Sequence, residues 1–208
     1  TGDPRFAEAA KAHVMQAATY LIREDASTFH TYYMAVNTGA PRYGNTQQGY
    51  ADDSCWSRGQ AWGIYGFLLS YIYTGDKEMV ALSKRLANYF LNRLPEDAVC
   101  HWDLALVGTD ALRDSSSAAI AVCGLLELVK HLPVTDPDRE RYLEWAKGIM
   151  SSLTRRYLMG KDEKGNGLLK HSVHHLASNK GVDECASWGD YFYVEALVRF
   201  TQSWKLYW

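Results

Sequence analysis

The sequence lacks any apolar run long and clean enough to span a bilayer, and no leader of charged, apolar and small residues opens it. Both absences predict a soluble chain with no membrane partner. An excess of charge is lacking too: 22 Lys and Arg stand against 24 Asp and Glu, for a net charge of -2, and the basic residues are scattered. That excludes the basic face a nucleic-acid binder needs. Cysteine is scarce: Cys55, Cys100, Cys123 and Cys185 lie far apart with no Cys-x-x-Cys pair. Neither a zinc site nor a small disulfide framework is indicated, and mostly buried, reduced thiols are expected. The compartment, cytoplasmic or periplasmic, stays open.

What is present is enough for a packed core: 208 residues, 47% of them hydrophobic. Residues 1–208 are expected to be one domain. Three helix-start signals recur, at Thr1-Gly2-Asp3-Pro4, Thr74-Gly75-Asp76 and Thr135-Asp136-Pro137. In each, an Asp can accept a hydrogen bond from an orphan backbone N–H, and Pro fits a first turn where its missing N–H costs nothing. Amphipathic segments follow, with apolar stripes at Phe6, Ala10, Val14, Ala17, Leu21; at Met79, Leu82, Leu86, Phe90; and at Tyr142, Ala146, Ile149, Leu153. Each predicts a helix with one wet side. Between them, from about Ser57 to Tyr73, Ser115 to Leu132 and Asp190 to Trp204, the segments are apolar or small nearly all round and predict buried helices. The alternation implies an all-α toroid of helical hairpins, an inner ring sheathed by an outer one.

Connections from inner to outer helices are short, whereas those from outer to inner are long, which in a compact domain marks functional loops. These loops collect His30, Tyr32, Tyr33, Gln47, Gln48, Asp53, Trp56 and Arg58; then His101, Trp102, Asp103, Arg113 and Asp114; then His171, His174, His175, Ser178, Lys180, Asp183, Glu184 and Trp188. One end of the toroid is therefore the expected working face, and three inner-helix N-termini there would favour a small anion such as a carboxylate. Three hairpins do not close a ring, so a missing N-terminal half is expected as a partner.

The run Asp53-Ser54-Cys55-Trp56-Ser57-Arg58-Gly59-Gln60-Ala61-Trp62 is the most informative. Arg58 offers a planar donor fork suited to a carboxylate, and Trp56 and Trp62 offer flat apolar faces for a sugar ring. The competing reading is a helix start with two core tryptophans and an Arg58 that pairs structurally with Asp53 or Asp114. Asp53, Asp114, Asp183 and Asp190 stand at or before helix starts, where N-capping is the default. His171, His174 and His175 lack the i, i+4 spacing of a zincin motif, so no metal is expected.

Taken in order, residues 48–62, Arg113-Asp114-Ser115-Ser116-Ser117-Ala118-Ala119, Asn179-Lys180-Gly181-Val182-Asp183-Glu184-Cys185 and Trp188-Gly189-Asp190-Tyr191-Phe192 resemble the bacterial unsaturated glucuronyl hydrolases, glycoside hydrolase family 88. The resemblance implies an (α/α)6 barrel of which this chain supplies about three hairpins. It implies hydration of the vinyl ether of a 4,5-unsaturated uronic acid at the end of a lyase-generated oligosaccharide, with no cofactor and no metal. It makes His30, Gln48, Trp56, Arg58 and Trp62 substrate-binding, and places Ser178 and Lys180 where some members bind a sulfate. Gln47 and His175 depart from that sulfate pattern. No catalytic acid is assigned in this chain, because the family's aspartates fall ahead of Thr1. The alternatives are a non-catalytic module for acidic saccharides and a related toroid enzyme, such as an unsaturated rhamnogalacturonyl hydrolase or a sugar epimerase.

Overall fold

The computed structural model describes residues 2–206; Thr1, which opens the first helix-start signal, lies outside the described residues. The chain runs through α1 (Pro4–Leu21), β1 (Thr31–Met34), β2 (Pro41–Asn45), α2 (Ser57–Thr74), α3 (Lys77–Leu91), α4 (Ser115–His131), α5 (Asp138–Ser152), β3 (Ser172–His175), β4 (Lys180–Glu184) and α6 (Ser187–Thr201). Helix starts follow the capping chemistry. Asp3 accepts from Arg5 N at 3.0 Å with Pro4 in the first turn, and Asp76 accepts from Glu78 N at 3.0 Å. Asp136 accepts from Asp138 N at 2.9 Å, with Pro137 at the helix boundary itself. Gly75 ends α2 at a φ of 73°, a left-handed conformation that glycine takes without strain, and its N–H reaches Tyr71 O at 2.7 Å.

Helices α2, α4 and α6 form the inner row. Helix α4 packs against α2, α5 and α6 and is buried along nearly its whole length, as its all-round apolar sequence predicts. Helix α3 backs α2 and α5 backs α4; Met79, Leu86 and Phe90 on one and Tyr142, Ala146 and Ile149 on the other enter the core. Helix α1 departs from expectation, for none of its residues is buried. It meets α2 only loosely, and its apolar stripe faces a groove instead of a partner helix. At the other end of the row Tyr191, Val194, Leu197 and Phe200 of α6 are exposed.

Three of the four expected aspartate caps are not caps. Helix α6 begins at Ser187, and the Asp190 carboxylate turns out of the helix to accept from Leu169 N at 2.9 Å. Asp183 lies in β4 and pairs with His171 Nδ1 at 2.7 Å. At α2 the boundary residue is Trp56 and no side chain caps the helix, so Asp53 does not serve there. Only Asp114 caps as expected, accepting from Ser116 N and Ser117 N at 3.1 and 3.4 Å.

The long loops also carry two antiparallel hairpins that helix-oriented reasoning missed, β1–β2 and β3–β4. Alternation explains the first. Tyr32 turns toward Tyr20 and Phe29, while Tyr33 and its cross-strand partner Tyr43 share the opposite face.

Helices α2 and α4 approach closely at Gly124, where an added Cβ would meet Ile64 Cγ2 at 2.9 Å and Tyr65 N at 3.2 Å. Gly124→Ala should destabilise the fold by about 1–3 kcal/mol through overpacking, despite a helix-propensity gain of about 1 kcal/mol. A urea midpoint equal to the parent's would contradict this account of the contact.

Candidate functional site

A groove of about 630 Å³ runs between α1 and α2. Ala10, Val14, Ala17 and Leu21 form one wall, Gly63, Gly66 and Phe67 the other, and His30, Trp56 and Trp62 close the loop end. No Asp or Glu is among its lining residues. Trp62 is part-exposed and packs edge-on against Phe192, with ring centroids 5.2 Å apart. Trp56 is buried beneath His30, their rings stacked 4.3 Å apart, and its indole N–H has no acceptor among the described residues.

Each residue of Arg58-Gly59-Gln60 has a structural task. Arg58 is 4% exposed and donates through one terminal nitrogen to Asp114 Oδ2 at 2.8 Å and Val173 O at 2.9 Å, and through the other to His174 O at 3.0 Å. Its guanidinium carbon lies 4.6 Å from the Trp56 ring centroid and 5.3 Å from that of Trp188. Burial lowers its pKa from the ordinary arginine value, and the Asp114 charge opposes that shift. Gly59 leaves room for the Trp56 ring, since a Cβ there would lie 3.0 Å from Trp56 Cε3. Gln60 ties the first loop to the helices, donating to Ala26 O at 2.8 Å and Leu86 O at 3.1 Å.

Asp114, fully buried, holds the other end of this arrangement. Ser116 Oγ, Ser117 Oγ and two backbone N–H groups donate to it besides Arg58. The α4 N-terminus, expected to await an external anion, is thus filled by the chain's own carboxylate. Trp188 Nε1 donates to Ser116 Oγ at 3.0 Å, which seats α6 against the same knot.

His30 organises the rim. Its Nδ1 accepts from Gln47 N and Gln48 N, both at 3.1 Å, which makes Nε2 the protonated nitrogen of the neutral ring. Burial, then the Arg58 and His175 charges, lower its pKa from the ordinary 6.5. Gln48 donates to His174 O at 2.6 Å, the carbonyl that also receives Arg58. The third-loop histidines go separate ways: His171 to Asp183, His174 against Trp188, and His175 to Ser178 Oγ and, at 2.5 Å, Gln47 O. Lys180 stands opposite His175 in the β3–β4 register, exposed.

His30, Trp56 and Trp62 therefore share the groove, Arg58 and Gln48 lie behind and beside its end, and Ser178 and Lys180 sit on the rim outside it. Asp103, which the sequence places on the working face without a task, joins the first two loops through its buried carboxylate by accepting from Tyr50 N, Ser54 Oγ and Cys55 N at 2.9, 2.6 and 3.3 Å.

No protein-family model matches the chain. Similarity to individual proteins is extensive. The unsaturated chondroitin disaccharide hydrolase of Streptococcus pneumoniae is 48% identical over 209 residues, covering 100% of this chain and 53% of that protein. The unsaturated glucuronyl hydrolase of Bacillus sp. GL1 is 39% identical over 100% of this chain and 55% of that protein. The crystal structure of the Streptococcus agalactiae unsaturated glucuronyl hydrolase superposes with a TM-score of 0.95 at 47% identity, over 100% of this chain and 53% of that one. An aspartate-to-asparagine mutant of that enzyme, complexed with dGlcA-GalNAc6S, superposes at 0.91 over 100% of this chain and 55% of that one. The chain belongs to the unsaturated glucuronyl hydrolase family. It spans about half the length of the curated relatives it matches. Its inner and outer helices are those of the (α/α)6 barrel of unsaturated glucuronyl hydrolases.

Two measurements check the site. Asp114→Asn keeps an acceptor at the helix cap but leaves the buried Arg58 cation without its counter-charge, and should cost about 3–5 kcal/mol of stability; an unchanged denaturation midpoint would refute the pairing. In the folded chain His30 stays neutral to lower pH than in the unfolded chain. Its contribution to stability is therefore intact above about pH 6.5 and is lost as pH falls through the depressed folded value. A ring titration by NMR should show a midpoint below 6.5, and His30→Gln should flatten the acid limb of stability.

Proposed function

We propose that this chain is the C-terminal half of an unsaturated glucuronyl hydrolase, which releases 4,5-unsaturated glucuronic acid from lyase-generated glycosaminoglycan oligosaccharides. The observation that carries the reading is the loop end of the groove. The part-exposed Trp62 and a neutral imidazole N–H donor, that imidazole stacked on the buried Trp56, converge there on an otherwise apolar trough. A flat apolar face suits the half-planar unsaturated ring, and a fixed donor orients its polar edge.

In this reading the ring rests against Trp62, His30 and Gln48 orient it, Trp56 supports His30 from beneath, and Arg58 holds these residues in register from behind. Ser178 and Lys180 on the rim face the adjoining sugar. Hydration of the vinyl ether needs a proton at C4 and water at C5; the resulting hemiketal opens and frees the remaining saccharide. The groove of this chain supplies no carboxylic acid for that proton. We assign the acid to the half of the barrel that the matched relatives have beyond these residues.

The test is loss of the ultraviolet absorbance of the conjugated enol ether when the complete protein meets an unsaturated chondroitin or hyaluronan disaccharide. Turnover by the complete protein and none by residues 1–208 alone is the expected result. A steady absorbance with the complete protein across pH and sulfation would overturn the reading, and binding without product would favour a saccharide-binding module instead.

A further inference from the structure

The face of the β1–β2 hairpin that turns away from α1 carries an aromatic surface unused by the site described above. Tyr33 and Tyr43, directly paired across the strands, have ring centroids 5.1 Å apart and are both exposed. The Arg42 guanidinium lies 5.5 Å from the Tyr43 ring centroid. This surface is continuous with the candidate site. Gln47 Nε2 donates to Tyr33 Oη at 3.2 Å, Gln47 N donates to His30 at the groove, and Gln47 O accepts from His175 on the rim.

We propose that Tyr33, Tyr43 and Arg42 form a further saccharide subsite, which takes the sugars beyond the terminal pair of a longer acidic oligosaccharide. The inference rests on the reading under Proposed function and adds to it a substrate length. Two solvent-facing rings held at a fixed tilt are a stacking platform whose ordering cost is met by the hairpin, because their packing on each other already fixes their rotamers. Arg42 beside them supplies the charge complementary to a uronate or sulfate. Gln47 spans the gap from the groove to the platform, so an oligosaccharide leaving the rim past His175 passes over Tyr33 toward Tyr43.

The experiment compares unsaturated di- and tetrasaccharides, prepared by lyase from one glycosaminoglycan, as substrates of the complete protein. The parent should show a lower KM for the tetrasaccharide. Tyr43→Thr keeps strand propensity but removes the ring; it should raise the tetrasaccharide KM about five- to tenfold, the loss expected of one stacking contact. Its kcat and its disaccharide KM should stay within about twofold of the parent, whereas Tyr43→Phe should match the parent on both substrates. Equal KM values for the two substrates in the parent, or a Tyr43→Thr effect that is absent or the same on both, overturns the subsite and leaves the hydrolase reading standing. If the parent turns over neither substrate, the hydrolase reading falls and the subsite falls with it.

Discussion

The buried Arg58–Asp114 pair is the constraint around which the loop end of this fold is arranged. A cation and a carboxylate removed from water are stable only when nearly all their remaining hydrogen-bonding capacity is met, because desolvation otherwise exceeds their attraction. Here it is met from every side. Asp114 draws on two serine hydroxyls and the first N–H groups of α4, and Arg58 draws on the carbonyls of Val173 and His174. Satisfying the pair thus joins α2, α4 and β3, and the tryptophans on either side of the guanidinium shield it. The candidate binding surface is built outward from that knot.

The helices were legible because their signals are local and repeated. Apolar periodicity placed five of the six helix starts within two residues, and the Asp3, Asp76 and Asp136 carboxylates act where capping chemistry puts them. The start of α6 was misplaced because Asp190 looks like a cap and instead bonds to a backbone N–H in the third loop. The hairpins were missed because four- and five-residue strands in long polar loops leave too short an alternation to outweigh their surroundings.

Site residues were legible as a group and less so in their individual tasks. Sequence placed His30, Trp56 and Trp62 at one face, and the groove brings them together. It could not apportion Arg58 between a substrate carboxylate and Asp114, because both partners ask for the same planar fork. Geometry decides how that fork is occupied: one terminal nitrogen is taken by Asp114 and a carbonyl, the other by the carbonyl that Gln48 shares. The task of Asp103, though not its place on the working face, was illegible for a related reason, since it lies in three donors from another loop.

The span of the Arg58 bonds bears on how such a rim can be assembled from distant pieces. Its partners Asp114 and Val173 lie 56 and 115 residues along the chain. Loop-closure entropy grows only with the logarithm of length, so the near-doubling adds about 0.6 kcal/mol. One guanidinium can therefore recruit a strand from the far end of the chain almost as cheaply as a helix from its middle, and the intervening turns are left free to lengthen or shorten.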